Sequence, residues 1–155
     1  MMKARRAAPL VLVLGAVVLA AGCGGGGSSG EQLTKAEYAA KLDTICTETN
    51  EAGKSLDLSS ISKLATSGDE AKALLDKMID RINSLEPPDE VQDAASSFVA
   101  GLEQEAKDFG ELTEAAKDGD AAKVQQIQGE LSSEAAATSE DARFIGATGC
   151  ARLFA

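Results

Sequence analysis

Apolar residues recur at intervals of three and four from residue 33 onward, with polar residues filling the gaps. That period marks helices with one buried face. Tyr38, Leu42, Ile45, Cys46 and Thr49 fall near one side of a first helix. Thr34 and Glu37 precede it at capping-box spacing, and Gly53 suits its end. The stretch around Asp57, Ser59 and Ser60 is less regular, although Leu58, Ile61 and Leu64 allow a short helix there. Ser67-Gly68-Asp69-Glu70 reads as a second capping box. Behind it Ala71, Leu74, Leu75, Met78, Ile82 and Leu85 repeat at helical spacing. Pro87-Pro88 stops that helix, because proline lacks an N–H and restricts the residue before it. Pro88, Asp89 and Glu90 suit the first turn of the next one, whose stripe is Val91, Ala95, Phe98, Leu102, Ala106, Phe109 and Leu112. Asp118-Gly119-Asp120 is a turn and cap. Val124, Ile127, Leu131, Ala135, Thr138, Ala142 and Ile145 then mark a fourth helix, ending near Gly146.

Four amphipathic helices with short connections predict an all-α, up-and-down four-helix bundle. No segment alternates at period two as a strand would, and the helices do not repeat in sequence. The core is rich in Ala, with four Phe, one Tyr and no Trp. Small side chains let helices approach closely but bury modest area each, so a covalent staple has value.

The first 22 residues follow a different pattern. Lys3, Arg5 and Arg6 precede an apolar run over residues 10–19, about half the roughly 20 residues of a bilayer-spanning helix. Ala20, Ala21 and Gly22 then lead to Cys23. Leu19-Ala20-Ala21-Gly22-Cys23 resembles the lipobox of bacterial lipoproteins, with Ala20 where Leu is usual. The resemblance implies a cleaved lipoprotein signal peptide over residues 1–22 and a diacylglycerol on Cys23. Two acyl chains hold stably where one holds marginally. Residues 24–30 are Gly and Ser only, a flexible spacer of about 15 Å r.m.s. span. The expected organisation is a signal peptide (1–22), a lipidated Cys and tether (23–32) and a helical bundle domain (33–155), extracytoplasmic and anchored to the cell membrane.

Charge narrows the partners. Three of the 15 basic residues precede Cys23 and all 25 acidic ones follow it, so the part after Cys23 sets 12 basic groups against 25 acidic ones, a net charge of −13. Such a surface repels phosphate backbones and argues against nucleic acid. The expected contacts are the lipid bilayer through acylated Cys23 and an envelope protein partner.

With Cys23 acylated, Cys46 and Cys150 remain. Parity and an oxidising compartment predict a disulfide between them. In an ideal bundle the last helix ends beside the start of the first, whereas Cys46 lies about three turns along it. The pairing therefore requires the tail after Gly146 to turn back, or the last helix to overshoot.

Catalytic and metal constellations are sparse. The chain has no His, which removes Ser-His and Cys-His pairs and the Glu-x-x-His motif of di-iron bundles. Three Cys cannot form a Cys₄ site, and no Gly-rich phosphate loop lies between a strand and a helix. Glu103 and Glu111 are candidate acid–base carboxylates, read as a solvated face. Tyr38 is a candidate haem ligand, read as core. No catalytic residue, metal site or cofactor is expected.

Leu33-Thr34-Lys35-Ala36-Glu37-Tyr38, Ile45-Cys46, Leu85-Glu86-Pro87-Pro88, Gly119-Asp120 and Gly149-Cys150-Ala151 resemble a group of small exported proteins and lipoproteins of actinobacteria. The resemblance spans about residues 33–151. It implies a helical fold and a Cys46–Cys150 pair, and it supplies no active site. The function expected is a non-enzymatic binding or structural domain displayed at the envelope. A carrier of a small apolar ligand or haem would need a cavity among Met78, Phe98, Leu102 and Phe109. A carboxylate-dependent enzyme would need convergent buried acids.

Overall fold

The computed structural model describes residues 32–154. Its elements are α1 (Lys35–Gly53), α2 (Ile61–Asn83), a 3₁₀ turn (Asp89–Val91), α3 (Gln92–Lys117), α4 (Ala121–Ile145) and α5 (Thr148–Leu153), with no strand among the described residues. Residues 1–22 and Cys23 of the expected signal and anchor lie outside them.

The capping box ahead of α1 forms as its spacing predicts. Thr34 Oγ1 accepts from the Glu37 backbone N–H, and Glu37 accepts from the backbone and hydroxyl of Thr34. The second expected box does not cap. Ser60 starts α2 instead, its hydroxyl accepting from the Lys63 N–H. The Leu58–Leu64 segment and the Ala71–Leu85 stripe are therefore largely one helix, with Ser67-Gly68-Asp69-Glu70 inside it. Gly68 is buried because α2 crosses α3 there: a Cβ on it would lie 2.3 Å from Thr113 Oγ1. Close approach, rather than a chain reversal, explains this glycine.

Cross-links show that the long helices alternate in direction. Lys117, at the end of α3, pairs with Asp69 in the first half of α2 at 2.9 Å. Ser97, near the start of α3, donates to Asp141 near the end of α4 at 2.7 Å. Gly119, at φ +72°, makes the reversal between α3 and α4, and Asp120 caps α4 by accepting from the Lys123 N–H.

The core has two parts. The larger draws Tyr38, Leu42, Ile45 and Cys46 of α1 together with Met78, Ile82, Phe98, Leu102, Ala142, Ile145 and Cys150. The smaller, at the far end, consists of Leu64, Leu112, Ala115, Ala116, Val124 and Ile127, all from α2, α3 and α4. α1 has 19 residues against 26 in α3, about 28 Å against about 39 Å. The bundle is thus four-helical at one end and three-helical at the other. Both clusters and the disulfide lie within residues 33–154, so this segment carries its own fold.

After α4 the chain turns back. Gly146 adopts φ +98°, and the N–H groups of Gly146 and Ala147 return to Ala142 and Arg143 carbonyls in a Schellman arrangement. α5 then packs on both α1 and α4. The seam that a simple up-and-down bundle closes by direct α1–α4 contact is filled here by a fifth, short helix.

Candidate functional site

Among the described residues the one covalent tie is Cys46–Cys150, joining α1 to α5 with Cα atoms 5.2 Å apart across a sequence separation of 104. Both cysteines are buried. α5 reaches Cys46 because the chain reverses at Gly146, which resolves the mismatch in height along the bundle. Six residues are too few to hold a helix alone, and Ala147 provides no side-chain cap. The cap comes from α1: Asp43 Oδ1 accepts from the backbone N–H groups of Gly149 at 2.7 Å and Cys150 at 3.2 Å. Ser139 of α4 donates to the Ala151 carbonyl at 2.8 Å. Beyond α5, Phe154 meets Phe98 edge-on at 6.4 Å.

This tail forms one wall of a groove of about 340 Å³. The opposite walls are the end of α1 (Thr49, Asn50, Gly53), Lys54, Leu56 and Leu58 of the following connection, Leu74 and Leu75 of α2, and Phe109 of α3. Leu153 and Phe154 complete it. Lys54 is the only charged residue among the described ones on the lining, and its ammonium pairs with Glu51 at 2.5 Å. Of the four residues named for a carrier cavity, only Phe109 lines this groove. Met78, Phe98 and Leu102 are at most 2% exposed and fill the core instead.

A second cluster lies between α3 and α4. Glu105 is 8% exposed and accepts from the Thr138 hydroxyl. Burial raises its pKa above the ordinary carboxylate value, against the lowering effect of that hydrogen bond. Asp108, equally buried, accepts from the Gln104 amide at 2.9 and 3.0 Å. Glu134 faces them with one buried oxygen, Oε2, lacking a hydrogen-bond partner. Burial raises its pKa first, followed by the charge and contact of Asp108 and the charges of Glu105 and Glu130. No group of three or more potential ligands among the described residues is placed to hold a metal ion. None of the three acids lines the apolar groove.

The acids singled out in the sequence are elsewhere. Glu103 is exposed on α3 beside a different groove, and Glu111 is exposed near Lys107. The missed Glu105 had a signal: it stands seven residues after Phe98 and seven before Leu112, on the apolar stripe itself. Tyr38 is 1% exposed, and burial raises its phenol pKa. That disfavours the phenolate that would bind haem iron. No helix among the described residues is long and apolar enough to cross a membrane. Comparison with protein-family models, curated proteins and solved structures finds no match to this chain.

Proposed function

We propose that the chain is an extracytoplasmic lipoprotein, held to the cell membrane through acylated Cys23, whose helical domain binds an envelope component rather than catalysing a reaction. The observation that carries this reading is the Cys46–Cys150 bond. Such bonds persist in exported proteins and are rare in a reducing cytosol. The lipobox-like residues 19–23 give the same compartment independently. Glu105, Asp108 and Glu134 do converge between α3 and α4 as a carboxylate-dependent enzyme would require, but none of them lines the groove beside α5. Cys23→Ser should leave the protein unacylated and release it from the membrane fraction, or leave its signal uncut. Mass spectrometry of the native amino terminus decides: a mature chain beginning elsewhere and without acyl mass overturns the anchor.

The groove beside α5 favours a second reading, in which the domain carries a small apolar ligand. At about 340 Å³ it sits at the low end of the roughly 300–1,000 Å³ of ligand sites. Its walls are mainly Leu and Phe.

A further inference from the structure

We infer that the groove beside α5 takes a neutral single-chain amphiphile, its alkyl chain along Leu74, Phe109 and Phe154 and its hydroxyl head at Asn50, and that the Cys46–Cys150 bond holds the wall that makes the site. This rests on the reading of the domain as a carrier of a small apolar ligand.

The walls decide the tail. Carbon side chains from α2, α3, the α1–α2 connection and the C-terminal residues surround a space of about 340 Å³, room for one flexible chain rather than a rigid macrocycle. Leu58 remains 39% exposed at this groove, and Ile61 follows it at 36%. A ligand covering the leucine removes apolar surface from water, worth about 25 cal/mol per Å².

Charge decides the head. The one ammonium among the described lining residues, that of Lys54, already pairs with Glu51, which leaves no free cation there to draw an anionic head. The adjacent end of α1 presents carbonyl oxygens, which disfavour an anion, and the whole chain carries a net charge of −10. A cation finds no carboxylate among the described lining residues. A hydroxyl suits what remains. The exposed Asn50 amide both donates and accepts, and Thr49 Oγ1, which donates to the Ile45 carbonyl at 2.9 Å, keeps lone pairs free.

The C-terminal wall is conditional. Leu153 and Phe154 lie where they do because Cys150 is bonded to Cys46 and Asp43 caps α5. Cutting the bond removes the covalent tie and opens the groove along one side.

The test uses residues 31–155 with the disulfide formed. Decan-1-ol, decanoate and decylammonium are titrated while ¹H–¹³C spectra follow the Leu methyl and Phe ring signals. The expected result is saturable decanol binding at one site, with shifts at Leu58, Leu74, Phe109 and Phe154. The two charged probes should bind about tenfold more weakly or worse. Leu58→Asp, in a connection and away from both core clusters, should weaken decanol about tenfold while preserving the helical spectrum. Reduction of the disulfide should do the same. Equal affinity for all three heads overturns the head-group assignment and leaves the carrier reading intact. Saturable binding unaffected by reduction overturns the role of the disulfide. No saturable binding of any probe overturns both this inference and the carrier reading. None of these outcomes bears on the anchor at Cys23, which is read separately from its acyl mass.

Discussion

Asp43 Oδ1 lies 2.7 Å from the backbone nitrogen of Gly149, although 106 residues separate them in sequence. A carboxylate on α1 thereby does for α5 what a helix usually obtains from its own preceding residue. The approach also explains the glycine: a Cβ at position 149 would lie 2.9 Å from that oxygen.

Removing this cap should free the tail. Asp43→Ala is expected to destabilise the domain by about 1–2 kcal/mol, the range for a lost N-cap with a charged acceptor. Amide hydrogen exchange should locate the loss, with Gly149 and Cys150 gaining the most. Gly149→Ala should produce the same pattern by crowding. Uniformly faster exchange would show that α5 is not the segment released.

The disulfide should stabilise the same region more strongly. Loss of both sulfurs in C46A/C150A is expected to cost about 2–5 kcal/mol, as for native bonds in small exported domains. The helical circular dichroism should persist, because α1 to α4 keep their packing. Mass spectrometry of unreduced, alkylated protein from its native envelope should find neither thiol modified; two alkylated thiols would falsify the bridge.

Glu105 gives a pH dependence of defined sign. Its pKa is raised in the folded chain by burial, so folding holds its proton more tightly. The associated stability is fully present below the ordinary carboxylate value and is lost as pH rises through the raised one. Glu134 acts in the same direction. Glu37 acts oppositely: the Thr34 hydroxyl and backbone N–H lower its pKa, and that contribution is lost as pH falls through the lowered value. Glu105→Gln keeps an acceptor for Thr138 and removes the charge. Its urea midpoint should exceed that of the wild type at neutral and alkaline pH, and the gap should close as pH falls through the raised value. Equal midpoints throughout would mean that Glu105 titrates as an exposed acid.

Gly68→Ala sets two effects against each other. Helix propensity gains about 1 kcal/mol, but the new methyl would meet Thr113 Oγ1 at 2.3 Å and Cγ2 at 2.6 Å. Thr is stiff at χ1, so overpacking of about 1–3 kcal/mol should win. In a Thr113→Ala background those two atoms are gone, and the same change should cost less or become stabilising. A thermal-melt double-mutant cycle measures that coupling.

These particulars show what the sequence makes legible. The face of α1, the Thr34–Glu37 box, the Asp118–Asp120 turn and the end of α4 at Gly146 follow from local chemistry, and all are present. The start of α2 does not. Ser67-Gly68-Asp69-Glu70 has the spacing of a cap, but a glycine needed for close helix approach looks, in sequence, like one needed for a turn. Only the packing of Thr113 separates the two. α5 is illegible for a different reason. Six residues show no period, and what stabilises them, Asp43 and Cys46, lies on another helix. The groove was beyond reach because three of its walls come from segments outside the regular stripes: Leu56 and Leu58, Lys54, and Leu153 with Phe154. Glu105 was readable as an acid on an apolar stripe, whereas its partners Asp108 and Glu134 emerge only from the pairing of α3 with α4.

The fastening of α1 to α5 also decides how the domain bears tension. A pull on its N-terminal end can draw out only residues 35–46 before it meets the bond. At Cys46 the strain passes through sulfur to Cys150, far along the chain but beside it in the fold. A chain tugged from that end therefore yields a short, fixed length and then stiffens, with most of its helices still in place.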